Sequence, residues 1–264
     1  MSTANPEALG VEVQPDDAYF DLMAEVAETH WWYRARRAWL RQELGSRVRA
    51  GERAYDIGCG TADAMATLAA IGARPVVGTD LSEHVLRGVV GRDGHPAVLK
   101  SLAEHLPFAD RSASTLISMD VIEHLDDDVV ALREYRRLLR PGGSVFLTVP
   151  AYQWIWSEHD DRAAHRRRYS KERFVIAARA SGFEVDRVTY YFSFLLPVAA
   201  LIRKTPLRRF FPATDEEASE MHPAIDAVLA LLSRLEQRLG AHVDLPFGLS
   251  ILMVAHLPDE PEPN

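Results

Sequence analysis

Cysteine is almost missing from this chain: Cys59 stands alone among 264 residues, so no disulfide can close within it. Its stability must therefore come from packing. Basic charge is scarce too, with 30 lysine and arginine residues against 38 acidic ones and a formal net charge of -8. A protein that grips duplex nucleic acid by its phosphates needs the opposite balance, which removes duplex nucleic acid from the expected partners. Long hydrophobic runs are lacking as well. The longest, 190–202, is broken by Pro197 and falls short of the roughly 20 residues that cross a bilayer. It is followed by Arg203, Lys204, Arg208 and Arg209, so peripheral membrane contact through 190–211 stays open beside the plainer reading, a buried strand running into a loop. The first residues have no basic, apolar and small-residue order of a secretory leader, and with the single cysteine this gives a cytoplasmic expectation.

What is present suits one large core: 47% of the residues are hydrophobic and 26% charged. The ends, 1–15 and 257–264, are rich in proline, acid and small residues and are expected to be disordered tails. Between them no repeat is visible, and short apolar runs alternate with helical patterns, as in a parallel α/β sheet. The spacing predicts strands at 53–57, 75–79, 97–99, 114–119, 144–149, 183–191 and 250–256. A helix opening at Asp126, Asp127 and Asp128 should carry Arg136, Arg137 and Arg140 at its end and be stopped by Pro141-Gly142-Gly143, in keeping with the helix dipole. A further helix is predicted over 170–180. Over 223–239, Ile225, Val228, Leu229, Leu232, Leu235 and Leu239 recur at helical spacing, predicting an apolar face packed on the core, over the sheet edge or along an acceptor pocket.

The segment Asp56-Ile57-Gly58-Cys59-Gly60-Thr61 lies where a strand turns into a helix, the place where open α/β sheets bind ligands. Gly58 and Gly60 let the backbone bend and approach a ligand closely. A dinucleotide site would want a third glycine where Asp63 stands, and the Asp56 carboxylate would repel a pyrophosphate. The same acid suits a cation such as a sulfonium or ammonium. Asp80, at the end of the second strand, is placed to accept hydrogen bonds from ribose hydroxyls.

With these residues in view the sequence resembles the class I S-adenosylmethionine-dependent methyltransferases, in the branch that acts mostly on small molecules and lipids. The resemblance rests on Asp56-Ile-Gly-Cys-Gly-Thr, Gly78-Thr-Asp80-Leu-Ser, Leu106-Pro-Phe108, Asp120-Val-Ile-Glu-His-Leu125 and Leu138-Leu-Arg-Pro-Gly-Gly143, in family order over 53–150. It implies a Rossmann-like, seven-stranded, mostly parallel sheet with helices on both faces. It also implies a helical lid at 16–50, a methyltransferase domain at 51–256, and a helical insertion, 193–247, before the last strand. S-adenosylmethionine is the implied cofactor. Asp56, Gly58, Cys59 and Gly60 would line its methionine part, Asp80 its ribose, Leu81 the adenine face and the Ala103 backbone the adenine edge, with Asp120 near the methyl end. The chain departs from the family at Leu102, where an Asp is usual, and at Ala113-Ser114, where Phe-Asp is usual.

The acceptor is less legible. Residues 150–169 gather Tyr152, Trp156, His159, Asp160, Asp161, His165, Arg167, Arg168 and Tyr169 at the carboxyl end of a strand, resembling a pattern in a subset of these enzymes associated with glycan or lipid-linked pathways. Three readings of His159, Asp160 and His165 are open: a metal site, a general base, and a structural network in which Arg167 and Arg168 pair with Asp160 or Asp161. His124 joins His159 and His165 as a catalytic candidate, and no metal ligand set is assigned. Tyr33 and Arg36, in an aromatic and basic N-terminal cluster with Trp31 and Trp32, are expected to face the ligand from the lid, with Tyr152, Trp156, Arg168 and Tyr169 completing an acceptor subsite. The expected activity is methyl transfer to an oxygen, nitrogen or carbon of a small-molecule, glycan or lipid-linked acceptor. Cofactor-dependent chemistry other than methyl transfer, and a non-enzymatic binding or scaffold role, are the alternatives.

Overall fold

A computed structural model describes residues 21, 24–90, 97–205 and 222–259. The expected tails at 1–15 and 260–264, and the part of the proposed membrane-contact segment at 206–211, lie outside the described residues.

The chain opens with α1 (Trp31–Leu44) and then alternates β1 (Ala54–Ile57), α2 (Asp63–Ala70), β2 (Val76–Asp80), α3 (Glu83–Val90), β3 (Ala97–Lys100) and β4 (Ala113–Met119). It continues through α4 (Asp128–Leu138), β5 (Leu139–Pro150), a short α5 (Glu158–Arg162), α6 (Lys171–Ala180), β6 (Glu184–Tyr191), α7 (Leu195–Lys204), α8 (Pro223–Gly240) and β7 (Ser250–His256). The seven strands lie in the order β3-β2-β1-β4-β5-β7-β6. β1, β2, β3, β4 and β5 pair in parallel, and β7 runs antiparallel to both of its neighbours. The central strands are buried on both faces, which is why β1, β5 and β7 read as nearly continuous apolar runs. The order reverses between β1 and β4, and the crevice outside those strand ends is where such sheets bind ligands.

The first strands and the last appear where the apolar runs predict them, but three expectations need correction. The helix expected to extend to Arg140 ends at Leu138, and β5 begins at once. Pro141-Gly142-Gly143, expected to stop the helix, forms instead an irregularity inside β5, where pairing jumps from Ala113 with Leu139 to Thr115 with Ser144. Arg140 lies in that bulge and pairs with Glu52. The apolar run at 190–202 is a strand that stops at Tyr191 followed by a helix, α7, rather than a strand running into a loop. No residue of α7 is buried, and no helix among the described residues is long and apolar enough to cross a membrane.

The third correction concerns α8. Its inward residues are Ala230, Ser233, Glu236 and Gly240, whereas Ile225, Val228, Leu232, Leu235 and Leu239 stand exposed. Close approach decides which face is turned in. Trp39 of α1, 1% exposed, lies against Gly240 so tightly that a Cβ there would fall 2.1 Å from the indole, so only glycine fits. Glu236 accepts from the backbone N–H groups of Phe192 and Ser193, tying α8 to the end of β6. Trp31, Leu40 and Leu44 are buried with Trp39, so one face of α1 belongs to the main core while its other face looks into the crevice.

Candidate functional site

A cavity of about 630 Å³ opens over the β1 and β4 ends, with α1 as its roof. Its floor is the turn after β1. Gly58 has φ +70, and a Cβ on it would strike Val121 at 2.3 Å, so both backbone conformation and space demand glycine. Asp80 holds this turn from the side: the Gly60 N–H donates to one of its carboxylate oxygens and the Ser82 N–H to the other, both at 2.9 Å. One short side chain thus fixes the glycine turn relative to the end of β2.

Asp56, in the middle of the sheet, is 2% exposed, and its Oδ2 has no hydrogen-bond partner. Burial, reinforced by the nearby Asp80 charge, pushes its carboxyl up to about 8. The free site therefore holds Asp56 largely as the neutral acid at pH 7, and an entering cation would favour its ionised form. The Cys59 thiol is likewise pushed up, first by burial and then by Asp56, so it is inert as a nucleophile.

Asp120 stands in the left-handed region at φ +57, a conformation uncommon for a non-glycine residue and frequent at functional sites. It accepts from Thr148 Oγ1 at 3.1 Å and forms an ion pair with Arg36 of α1 at 2.7 Å. Burial opposes the Arg36 charge, but Asp120 and the neighbouring groups outweigh it and hold the guanidinium firmly protonated. This pair bridges roof and floor across the mouth of the glycine turn. Beside it, Arg37 pairs with Asp63 and donates to the carbonyl of Ala27 at 2.8 Å.

The opposite end of the cavity is made of ionisable side chains. Asp160, wholly buried, accepts from Arg168 Nε at 2.6 Å and from His165 Nδ1 at 2.9 Å, and caps α5 through the Ser157 N–H. Burial alone would raise its pKa, but the bonds from His165 and Arg168 win and hold the carboxyl well below the usual carboxylate range. Since a carboxylate can only accept, His165 Nδ1 carries the proton and a neutral His165 keeps its lone pair on Nε2. By the same reasoning His124 donates from Nδ1 to the Ala164 carbonyl, at 3.3 Å. The two rings meet edge to face at 4.9 Å between centroids, with His159 beyond them at 6.3 Å from His165. Burial, helped by the His165 charge, lowers His124 to about 4; burial and Arg203 do the same to His159. Both are therefore neutral imidazoles at pH 7. Arg203, half-buried at the end of α7, is lowered to about 10 by desolvation and by the Arg168 charge.

A family model described as "Methyltransferase domain" matches residues 55–147 of the chain. A probable S-adenosylmethionine-dependent methyltransferase of Mycolicibacterium smegmatis is 32% identical over 164 residues, 61% of this chain and 62% of that one. The demethylmenaquinone methyltransferase of Chlorobaculum tepidum is 28% identical over 144 residues, 53% of this chain and 57% of the relative. Among solved structures, Haemonchus contortus phosphoethanolamine N-methyltransferase 2 in complex with S-adenosyl-L-methionine superposes with a TM-score of 0.62, at 18% identity, covering 92% of this chain and 58% of that one. Residues 55–147 thus carry a methyltransferase domain. The chain spans about three fifths of the length of the curated relatives just named.

Within this methyltransferase domain the residues expected to hold S-adenosylmethionine, Asp56, Gly58, Cys59, Gly60, Asp80, Leu81, Ala103 and Asp120, all line the one cavity. His124, His159, His165, Tyr33, Arg36 and Arg168 line it too. Three expected acceptor residues are not on its wall. Tyr169 is fully buried behind it, donating to Asp128 at 2.7 Å. Tyr152 stacks on Tyr190 at 5.2 Å, and Trp156 donates its indole N–H to Asp161 at 2.9 Å. These aromatics brace the loop from outside. Arg168 pairs with Asp160 as anticipated, whereas Arg167 turns away to the Asp126 carbonyl and Asp128. Among the cavity residues that the sequence reading did not assign to the site, two stand at its ionisable end. Arg203 arrives from a helix that was not anticipated. Glu123 sits in the family's Glu-His-Leu element, where its acidity was a visible signal, yet only the fold shows it wholly buried against the histidines. Glu123, His124 and His165 bring one ligand atom each to within 4.8 Å of one another, a different grouping from the His159, Asp160 and His165 set considered from sequence.

Proposed function

We propose that this chain transfers the methyl group of S-adenosylmethionine to a nucleophilic atom of a small or lipid-linked acceptor. The observation that carries the reading is a single cavity with two unlike ends: the glycine turn with Asp56 and Asp80 at one, and the Glu123, His124 and His165 corner at the other, with Asp120 and Arg36 between them. In that arrangement Asp56 meets the cationic methionine part, Asp80 accepts from the ribose with the lone pairs that Gly60 and Ser82 leave free, and Leu81 with the Ala103 backbone frames the adenine. The sulfonium is already a good leaving group, so the protein's task is alignment and exclusion of water. The acceptor atom forms a bond to the methyl carbon as the carbon–sulfur bond breaks, leaving S-adenosylhomocysteine. An amine needs only its lone pair exposed; a hydroxyl must also give up a proton, and His124, His159 and His165 are the imidazoles within reach of that end.

A volume of about 630 Å³ falls in the range of sites for small ligands, about 300–1,000 Å³, which favours a compact reacting group over a folded macromolecule. Apolar Val198 and Leu201 on α7, with the outward leucines of α8, stand exposed and support an acceptor with a lipid-like portion presented from a surface. The test is incubation of the full chain with methyl-labelled S-adenosylmethionine and fractionated host small molecules and lipids. The expected result is a labelled product in one fraction with an equal amount of S-adenosylhomocysteine. Turnover that forms no S-adenosylhomocysteine would point instead to non-transfer chemistry in the same cleft.

A further inference from the structure

The Glu123 carboxylate poses a question that methyl transfer alone does not answer. It is 0% exposed, neither of its oxygens has a hydrogen-bond partner, and it lines the cavity. Buried acids are normally bonded or paired, and an orphan costs the full desolvation of the group. Two imidazoles stand beside it, each engaged through its Nδ1. His165 gives its Nδ1 proton to Asp160 and brings Nε2 to 4.0 Å from Glu123 Oε1, and His124 gives its Nδ1 proton to the Ala164 carbonyl.

We propose that Glu123, His124 and His165 form a binding site for one divalent cation of the zinc, manganese or iron(II) class at the acceptor end of the cavity. The donor set is two imidazole nitrogens and one carboxylate oxygen, all within 4.8 Å of one another, so small rotations of three side chains bring them around a common centre. Such a set suits borderline transition cations; magnesium and calcium prefer all-oxygen shells. The surroundings fit as well. A ligating histidine usually donates its other N–H to a carboxylate or a carbonyl, which orients the ring and strengthens the ligand, and both partners are here: Asp160 for His165 and the Ala164 carbonyl for His124. Asp160 is held in turn by Arg168 and by the Ser157 N–H, so the ring it orients is itself on a rigid support. Three protein ligands leave coordination positions facing the cavity, open to an oxygen of the acceptor. A cation there would make His124 and His165 ligands, with the acceptor oxygen activated by direct coordination. The site rests on this geometry and stands whether or not the acceptor is the class proposed above.

The test uses the full chain stripped with a chelator and titrated separately with Co²⁺, Zn²⁺ and Mg²⁺. One Co²⁺ per chain, with the visible bands of a nitrogen- and oxygen-ligated ion, displaced by Zn²⁺ and not by Mg²⁺, is the expected result. Glu123→Gln and His124→Gln should each weaken Co²⁺ binding by about tenfold or more while S-adenosylmethionine still binds, and His242→Gln, on the exposed surface, should leave it unchanged. Spin-echo spectroscopy of the Cu²⁺-loaded wild-type chain, which needs no variant to fold, should read two imidazole ligands. Absence of stoichiometric binding by the wild-type chain, equal affinity in the folded Glu123 and His124 variants, or fewer than two imidazoles would overturn the proposal. Cation binding without any methyl transfer would leave this site standing and remove the catalytic reading alone.

Discussion

The two ends of the cavity are built on different principles. At the cofactor end, one acid, Asp80, organises backbone: it bonds the N–H groups of Gly60 and Ser82 and fixes a turn whose shape comes from two glycines. At the acceptor end side chains organise one another, with Asp160 holding Arg168 and His165 and with Glu123 beside them, drawn from positions 45 residues apart in the chain at their widest, Glu123 to Arg168. A backbone site of this kind tolerates loss of a side chain by binding its ligand more weakly. A network of buried charges does not, because removing one partner strands the others in a poorly solvating place.

That contrast sets the order of expected effects. Asp160→Ala would leave the Arg168 guanidinium, 5% exposed, without its counter-charge, and should lower unfolding free energy by about 3–5 kcal/mol in urea denaturation. A variant as stable as the wild type would show that the network is not what holds the loop. Asp80→Ala comes next: affinity for S-adenosylmethionine, measured by calorimetry, should fall by about 2–3 kcal/mol with the circular dichroism spectrum unchanged, because the hydrogen bonds lost are to a charged acceptor. Unaltered affinity would sink the ribose assignment. The smallest effect belongs to Tyr169→Phe, which deletes the hydroxyl bond to Asp128 and a longer one, 3.4 Å, to the Ile122 carbonyl, while Asp128 keeps its Arg173 partner at 3.1 Å. It should cost about 1 kcal/mol of stability, with turnover per folded molecule intact. A specific drop in turnover would put Tyr169 back among the acceptor residues.

The same contrast explains what could be read from the sequence. The cofactor end depends on contiguous segments: a glycine turn between a strand and a helix, then an acid closing the next strand, and each lies where spacing placed it. The acceptor end depends on tertiary packing, which spacing does not encode. Residues 150–169 carry aromatic and ionisable side chains throughout, and only the fold reveals that His159, His165 and Arg168 turn inward while Tyr152, Trp156 and Tyr169 brace the outside. Periodicity located α8 but misassigned its face, because the small residues that let Trp39 approach Gly240 outweighed the leucine stripe. The Arg203 contribution was hidden for a related reason: an apolar run of 13 residues holding one proline fits a strand-to-loop reading as well as a strand followed by the helix that delivers the arginine.

The measurement that tests the central claim most directly is calorimetric titration of the wild-type chain with S-adenosylmethionine, repeated from about pH 6 to pH 9 and in buffers of different ionisation enthalpy. In the free protein burial holds Asp56 protonated up to about 8, whereas the bound cationic cofactor favours its carboxylate, so the bound state carries fewer protons below that pH. The account predicts one site per chain, release of up to one proton at pH 7, and an affinity that climbs by at most about tenfold per pH unit until it levels above pH 8. Binding with no proton release and a flat pH profile would contradict the role given to Asp56, and no binding at any pH would contradict the account itself.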